Sequence, residues 1–331
     1  MPAEQRPALP PAPRRPVTAP ALRRPVAGRA THVPSGPPPG IRYAGIGDEA
    51  APGLAGQLTA LRELGWSAME LRSVDGRSVA DLDDRAFGRL AERLAAAGTE
   101  VVCVDSRIAD HHRPVTGPFA RDTDELGVLA RRCAVLGTRY VRVMSYPNDG
   151  LGEAEWGRRV RQRMTVLARR AEDSGLVLLH ENCAGWAGTR AERMLDLLHH
   201  VDSPALRLLF DTGNGVPHGY GSAALLRAVA DFVEHVHVKD AVRARTGEVA
   251  YVLPGHGHAE VRECLTTLLR RGRRGTWSIE PHTRLRPHDG TDTRGDDGVA
   301  AFVAHGRELE RLVAREVLPA VTPAPHGGRH D

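Results

Sequence analysis

LVLLHE (176–181), LRLLFD (206–211), HVHVKD (235–240) and TWSIE (276–280) are four short apolar runs that each carry a carboxylate or an imidazole at or near the end. A run this short, bounded by turn residues and followed by amphipathic sequence, reads as a buried strand. Upstream the same pattern gives strands over 41–46, 67–72, 100–105 and 140–145, and the four opening runs extend to strands over 176–181, 206–211, 232–238 and 276–280. Helical periodicity follows each strand, over 53–64, 81–97, 121–136, 152–174, 188–201, 222–230, 259–271 and 297–316. DRAFGRLAERLAAAG (84–98) shows the 3.6-residue repeat and ends in a helix-stopping glycine. Glycines at 65, 137, 175 and 275 stand just before strands, as in αβ turns.

Eight strand–helix units predict an α/β fold, a (β/α)8 TIM barrel. An open, doubly wound sheet competes, but no GxGxxG follows the first strand, so its dinucleotide-binding form has no support. The barrel is expected over 41–317. The flanks, 1–40 with PPAPRRP and SGPPPG, and 318–331 with LPAVTPAPHGGRHD, are too rich in Pro, Arg and small residues to bury a core; both are expected to be disordered tails.

Charge and cysteine content narrow the function classes. The net charge is +4, but residues 1–40 carry six arginines and one glutamate, which leaves the rest near neutral. That predicts no nucleic-acid partner. No apolar run is long enough for a membrane span, and four scattered cysteines without a CxxC pair fit a reduced cytoplasmic enzyme. The chain has 44 arginines and one lysine, Lys239, and its three asparagines are 148, 182 and 214. All four lie in or just beyond the fourth to seventh strands. A site that needs a compact ammonium or a neutral amide cannot use arginine instead.

In a barrel, strand carboxyl ends share one rim. Glu181, Asp211, His237 and Glu280 therefore face one cavity, and alternation puts His235, His237 and Lys239 on one side of their strand. Three carboxylates around one point repel unless a cation joins them. Oxygen-rich donors with one imidazole suit Mn2+, Mg2+ or Co2+, with Zn2+ as a further option.

The chain resembles the xylose-isomerase-like family of TIM barrels. The resemblance covers about residues 41–316 and rests on MELRSVDG (69–76), HEN (180–182), FDTGN (210–214), HVHVKD, PGHGHAEV (254–261) and WSIEPH (277–282), with ligand spacings of 30, 26 and 43 residues. It implies one divalent metal held by Glu181, Asp211, His237 and Glu280, with Glu181 and Glu280 as an acid/base pair. The expected reaction is isomerisation or epimerisation of a sugar or cyclitol by proton transfer next to a metal-bound carbonyl. The alternative is a dehydratase of the inosose or dehydroshikimate type. An endonuclease IV-like hydrolase ranks lower, because Asn214 stands where that group has a histidine and the second strand offers none. A non-catalytic binding protein is the rival from another class. Lys239, Arg72, Asn182, Asn214, His282 and His256 are the expected contacts to a small polyhydroxy carbonyl substrate, with Glu70 orienting Arg72. Related barrels often pair, so a homo-oligomer is also expected.

Overall fold

The computed structural model describes residues 36–282, 285–286, 291–292 and 298–322. The tail segments 1–35 and 323–331 lie outside the described residues.

Eight parallel strands form the centre: β1 (Ile41–Gly45), β2 (Ala68–Leu71), β3 (Glu100–Asp105), β4 (Tyr140–Ser145), β5 (Val177–Gly185), β6 (Leu206–Asp211), β7 (Val233–Val238) and β8 (Gly275–Ile279). Their hydrogen-bonded order runs β1-β8-β7-β6-β5-β4-β3-β2. A parallel bridge between Ile46 and Glu70 joins the two ends, so the sheet closes into a ring. Each strand is followed by a helix: α1 (Leu54–Leu64), α2 (Asp84–Ala96), α3 (Ala120–Leu136), α4 (Glu153–Asp173), α5 (Ala191–Val201), α6 (Ser222–Val229), α7 (Val261–Arg270) and α8 (Gly298–Leu312). The expected α/β barrel is therefore the observed fold.

Alternation along the strands builds the interior. Cys103, Leu179 and Leu209 form an inner cluster on β3, β5 and β6. Two residues further along the same strands stand Asp105, Glu181 and Asp211, so the apolar floor gives way to carboxylates at the carboxyl ends. The main core lies between strands and helices, where Leu178, Leu208, Val236 and Phe302 are buried.

Two boundaries differ from expectation. Past α8 the chain continues through a π-helical turn, Val313–Val317, into a last helical turn, Leu318–Val321. Leu318 and Val321 pack against the core, so the barrel runs to 321, not 317. The second difference is two antiparallel hairpins at the carboxyl rim, Ser73–Val74 with Arg77–Ser78 and Asp240–Arg243 with Val249–Val252. Both follow directly from barrel strands, and the second carries Tyr251 to the cavity wall.

The αβ turns behave as the glycines foretold. Gly137 closes α3 in the left-handed region (φ 74), its N–H donating to Cys133 O, with open space where a Cβ would stand. Gly137→Ala is expected to cost about 1 kcal/mol, since only the backbone strain changes. Urea unfolding of both proteins measures it, and equal midpoints would refute the account.

Candidate functional site

The cavity at the carboxyl rim is about 440 Å3 and is lined mostly by polar and charged side chains, among them Arg72, Arg142, Glu181, Lys239, Glu280 and His282. Such a wall suits a hydroxyl-rich ligand better than an apolar one.

The structure brings Glu181, Asp211, His237 and Glu280 together: one ligand atom from each lies within 4.8 Å of the others, and all four residues are buried. His237 Nδ1 stands 3.6 Å from Glu280 Oε2, 3.9 Å from Glu181 Oε1 and 3.9 Å from Asp211 Oδ2. It makes no hydrogen bond among the described residues. A buried nitrogen facing three carboxylate oxygens, each beyond hydrogen-bonding range, is what a shared cation would resolve. These donors therefore fit a divalent metal.

Each donor is held by its surroundings. Asp211 Oδ1 accepts from the N–H groups of Gly213 (2.7 Å) and Asn214 (2.8 Å), which leaves Oδ2 to face Lys239 Nζ. Glu181 Oε1 accepts from Asn214 Nδ2 at 3.0 Å. Glu280 Oε1 takes a bond from Arg72 Nη1 at 3.1 Å, and Oε2 takes one from Lys239 Nζ at 2.7 Å. Lys239 Nζ is also 2.7 Å from Asp211 Oδ2, so the single lysine bridges two of the four candidate ligands.

The electrostatics follow from burial and crowding. Burial, then the charges of Glu280 and Glu181, push the Asp211 carboxyl up to about 7 against the pull of Lys239. Burial alone would raise Glu280 as well, but Lys239, His282 and His237 outweigh it and hold Glu280 well below the usual carboxylate range. Burial disfavours the Lys239 ammonium, yet Asp211 and Glu280 push its pKa well above the ordinary value.

Of the expected substrate contacts, Lys239, Arg72, Asn214 and His282 line the cavity. His282 takes a left-handed backbone (φ 53), and Glu49 holds both its N–H (2.7 Å) and its Nδ1 (2.8 Å). A non-glycine residue held in this region beside a cluster of acids is strain stored at a site.

Three expectations need correction. His256 is not at the cavity: its Nε2 meets Glu308 on α8 at 2.7 Å, and its side chain is 52% exposed. Its loop is drawn outward because Asp240 accepts the N–H groups of Gly255, Gly257 and Ala259. Asn182 also faces away, since strand alternation sends it opposite to Glu181. It clamps the backbone of Asp211 through N–H to Oδ1 (2.6 Å) and Nδ2 to O (2.8 Å) and meets the Tyr220 hydroxyl. Glu70 does not orient Arg72. Arg72 is held by Asp48, Glu49 and Glu280, while Glu70 meets His235 and His237.

Sequence reasoning missed Asp48, Glu49, Asp105 and Arg142. Arg142 lies in the middle of β4, 3.4 Å from Asp105 Oδ2 and 3.5 Å from Glu181 Oε2. A charged residue between two valines of a barrel strand was the available signal. Asp105 ends EVVCVD in the same way that Asp211 ends LRLLFD.

The chain belongs to the xylose isomerase-like TIM barrel family, whose family model matches residues 58–297. An inosose dehydratase of Clostridium beijerinckii is 32% identical over 88 residues, 27% of this chain and 29% of that protein. The match thus spans under a third of the relative's length. An L-ribulose 3-epimerase superposes with a TM-score of 0.64 at 18% identity, covering 86% of this chain and 100% of that one. The IOLI protein, solved with a zinc atom, superposes with a TM-score of 0.65 at 16% identity, over 83% and 99%. At these identities the two structures share the fold. Among the described residues no helix is long and apolar enough to cross a membrane.

Proposed function

We propose that this protein is a metal-dependent enzyme that moves a proton on the carbon next to a carbonyl of a sugar or cyclitol, giving an isomer or epimer. The observation that carries the reading is the position of His237 Nδ1, 3.6–3.9 Å from oxygens of Glu181, Asp211 and Glu280. Those four side chains would hold one divalent cation, Mn2+, Mg2+, Co2+ or Zn2+. When bound, the cation supplies Lewis acidity to a carbonyl and its neighbouring hydroxyl.

The protein's own groups do the remaining work. Glu181 removes the proton, and Glu280, across the cluster, returns one, which it can carry only once Arg72 and Lys239 turn from its two oxygens to those of the substrate. Return to the same carbon from the other face inverts that centre; return to the neighbouring carbon, with the hydroxyl proton passing to the former carbonyl oxygen, isomerises. Lys239 and Arg72 place positive charge beside Glu280 and toward the substrate oxygens, and Asn214 and His282 offer hydrogen-bonding groups to hydroxyls. The polar wall matches a small polyhydroxy carbonyl compound.

A dehydratase reading draws on the inosose dehydratase relative. It begins with the same proton loss and ends with departure of a β-hydroxyl. Incubation with a panel of ketoses and inososes in D2O, followed by NMR, separates the two. Deuterium in the product without loss of water supports the isomerase, and loss of water supports the dehydratase. Elemental analysis is expected to give about one divalent ion per chain. A protein that carries none and has no affinity for added Mn2+ or Co2+ would sink both readings.

A further inference from the structure

Glu70 is fully buried inside the barrel, below the four candidate ligands. Its Oε1 lies 3.0 Å from His237 Nε2 and its Oε2 lies 2.7 Å from His235 Nε2. A register shift between Met69 and Glu70 interrupts the pairing of β2 with β3. Such an irregularity re-aims a side chain, and here the re-aimed residue is an acid in the strand interior.

An ionised carboxylate only accepts hydrogen bonds, so each Nε2 that faces Glu70 carries the proton. On His237 this leaves Nδ1 as the atom turned to Glu181, Asp211 and Glu280. His235 serves as an anchor. Its Nε2 engages the second oxygen of Glu70 and also lies 3.1 Å from Ser278 Oγ, so the carboxylate cannot rotate away from His237 without losing a second buried bond. The two rings stand nearly perpendicular, 83° apart with centroids at 5.6 Å, which lets one carboxylate reach both.

We propose that Glu70 is a positioning residue that fixes the Nε2–H tautomer of His237 and thereby sets the affinity of the cluster for a divalent cation. This rests on the metal-site reading given above. It accounts for a buried acid with no path to the substrate, and for a second histidine, His235, that is not among the four candidate ligands. Partners of this kind orient ligand rings and raise their basicity, and their loss typically weakens metal binding by about 10–100-fold.

Two measurements test it. The first uses wild-type protein labelled with 15N-histidine and loaded with Zn2+, read by two-bond 1H–15N correlation. His237 is expected to carry its proton on Nε2 and to bind zinc through Nδ1; a proton on Nδ1 overturns the proposal. The second is Co2+ affinity by calorimetry, with the visible cobalt spectrum, for wild type, Glu70→Gln and Glu70→Asp. The amide is a weaker acceptor, and the shorter carboxylate cannot reach both rings. Both variants are expected to bind about 10–100-fold more weakly and to shift the cobalt bands. Thermal unfolding of the metal-free proteins separates this from loss of fold. Unchanged affinity in a folded variant overturns the role of Glu70 alone, whereas a wild type that binds neither ion overturns the metal reading with it. If both variants fail to fold, the tautomer measured on the wild type decides.

Discussion

Glu181→Gln lowers kcat by about 10²–10⁴-fold and leaves the fold intact, because the amide keeps the shape and the Asn214 contact but cannot take a proton. The two acidic candidates are not equivalent. Both oxygens of Glu280 are bonded to cations, Oε1 to Arg72 and Oε2 to Lys239. Glu181 has one bond, from the neutral Asn214, and a longer approach from Arg142 at 3.5 Å. The less encumbered group is the better proton acceptor, and Glu280, held well below the usual carboxylate range, is suited to staying ionised. Glu280→Gln therefore loses turnover too, but with a marked loss of Co2+ affinity, since it frees Lys239 and Arg72 to repel the cation. The assay is deuterium exchange at the carbon next to the carbonyl, in the substrate the D2O panel identifies. Full exchange in Glu181→Gln would remove Glu181 from the role.

The parts of the fold set by local pattern were legible in the chain. Eight apolar runs and eight amphipathic stretches fell within a few residues of the observed elements, because a strand buried on both faces must be apolar throughout and a covering helix must be apolar on one face. The three rim acids Glu181, Asp211 and Glu280, with His237, were legible because strand alternation and barrel closure force them to converge. What escaped was pairing across distance. Arg72 and Glu70 are two residues apart and point the same way, so they look like partners. Closure of the ring instead gives Arg72 to Asp48 and Glu49, from the turn after β1, and Glu70 to the histidines of β7. His256 escaped for the opposite reason. Its motif suggested the rim, but Asp240 gathers the loop backbone and sends the imidazole out to α8. Asn182 was misread by one step of alternation, as the neighbour of Glu181 on the other face. The lysine signal fared better, since Lys239 bridges Asp211 and Glu280, where an arginine fork would not fit between two single oxygens.

Metal affinity is expected to fall steeply with pH below about 7, by between about tenfold and a hundredfold per pH unit, because uptake must expel protons from ligands that hold them in the metal-free protein. Asp211 is the first. Burial and the neighbouring Glu280 and Glu181 charges push its carboxyl up to about 7, so below that pH it is mostly protonated. His237 is the second. Burial pulls its pKa down, but the Glu70 and Glu280 carboxylates outweigh that and push it well above the ordinary value, which adds a proton on Nδ1. Both pKa values are raised, so both groups are loaded with protons in acid, and a cation must displace each one. Glu280 is held well below its usual range and releases none. Lys239 stays an ammonium throughout, so its cost is geometric: it must give up its contacts with Asp211 Oδ2 and Glu280 Oε2. Calorimetric titration with Co2+ between about pH 5.5 and 7.5, in two buffers of different ionisation enthalpy, counts the protons released. One to two per ion is the expected result. Binding that releases no proton and holds its strength in acid would mean that the cation is held elsewhere, and that Glu181, Asp211, His237 and Glu280 are a network of buried ion pairs centred on Lys239.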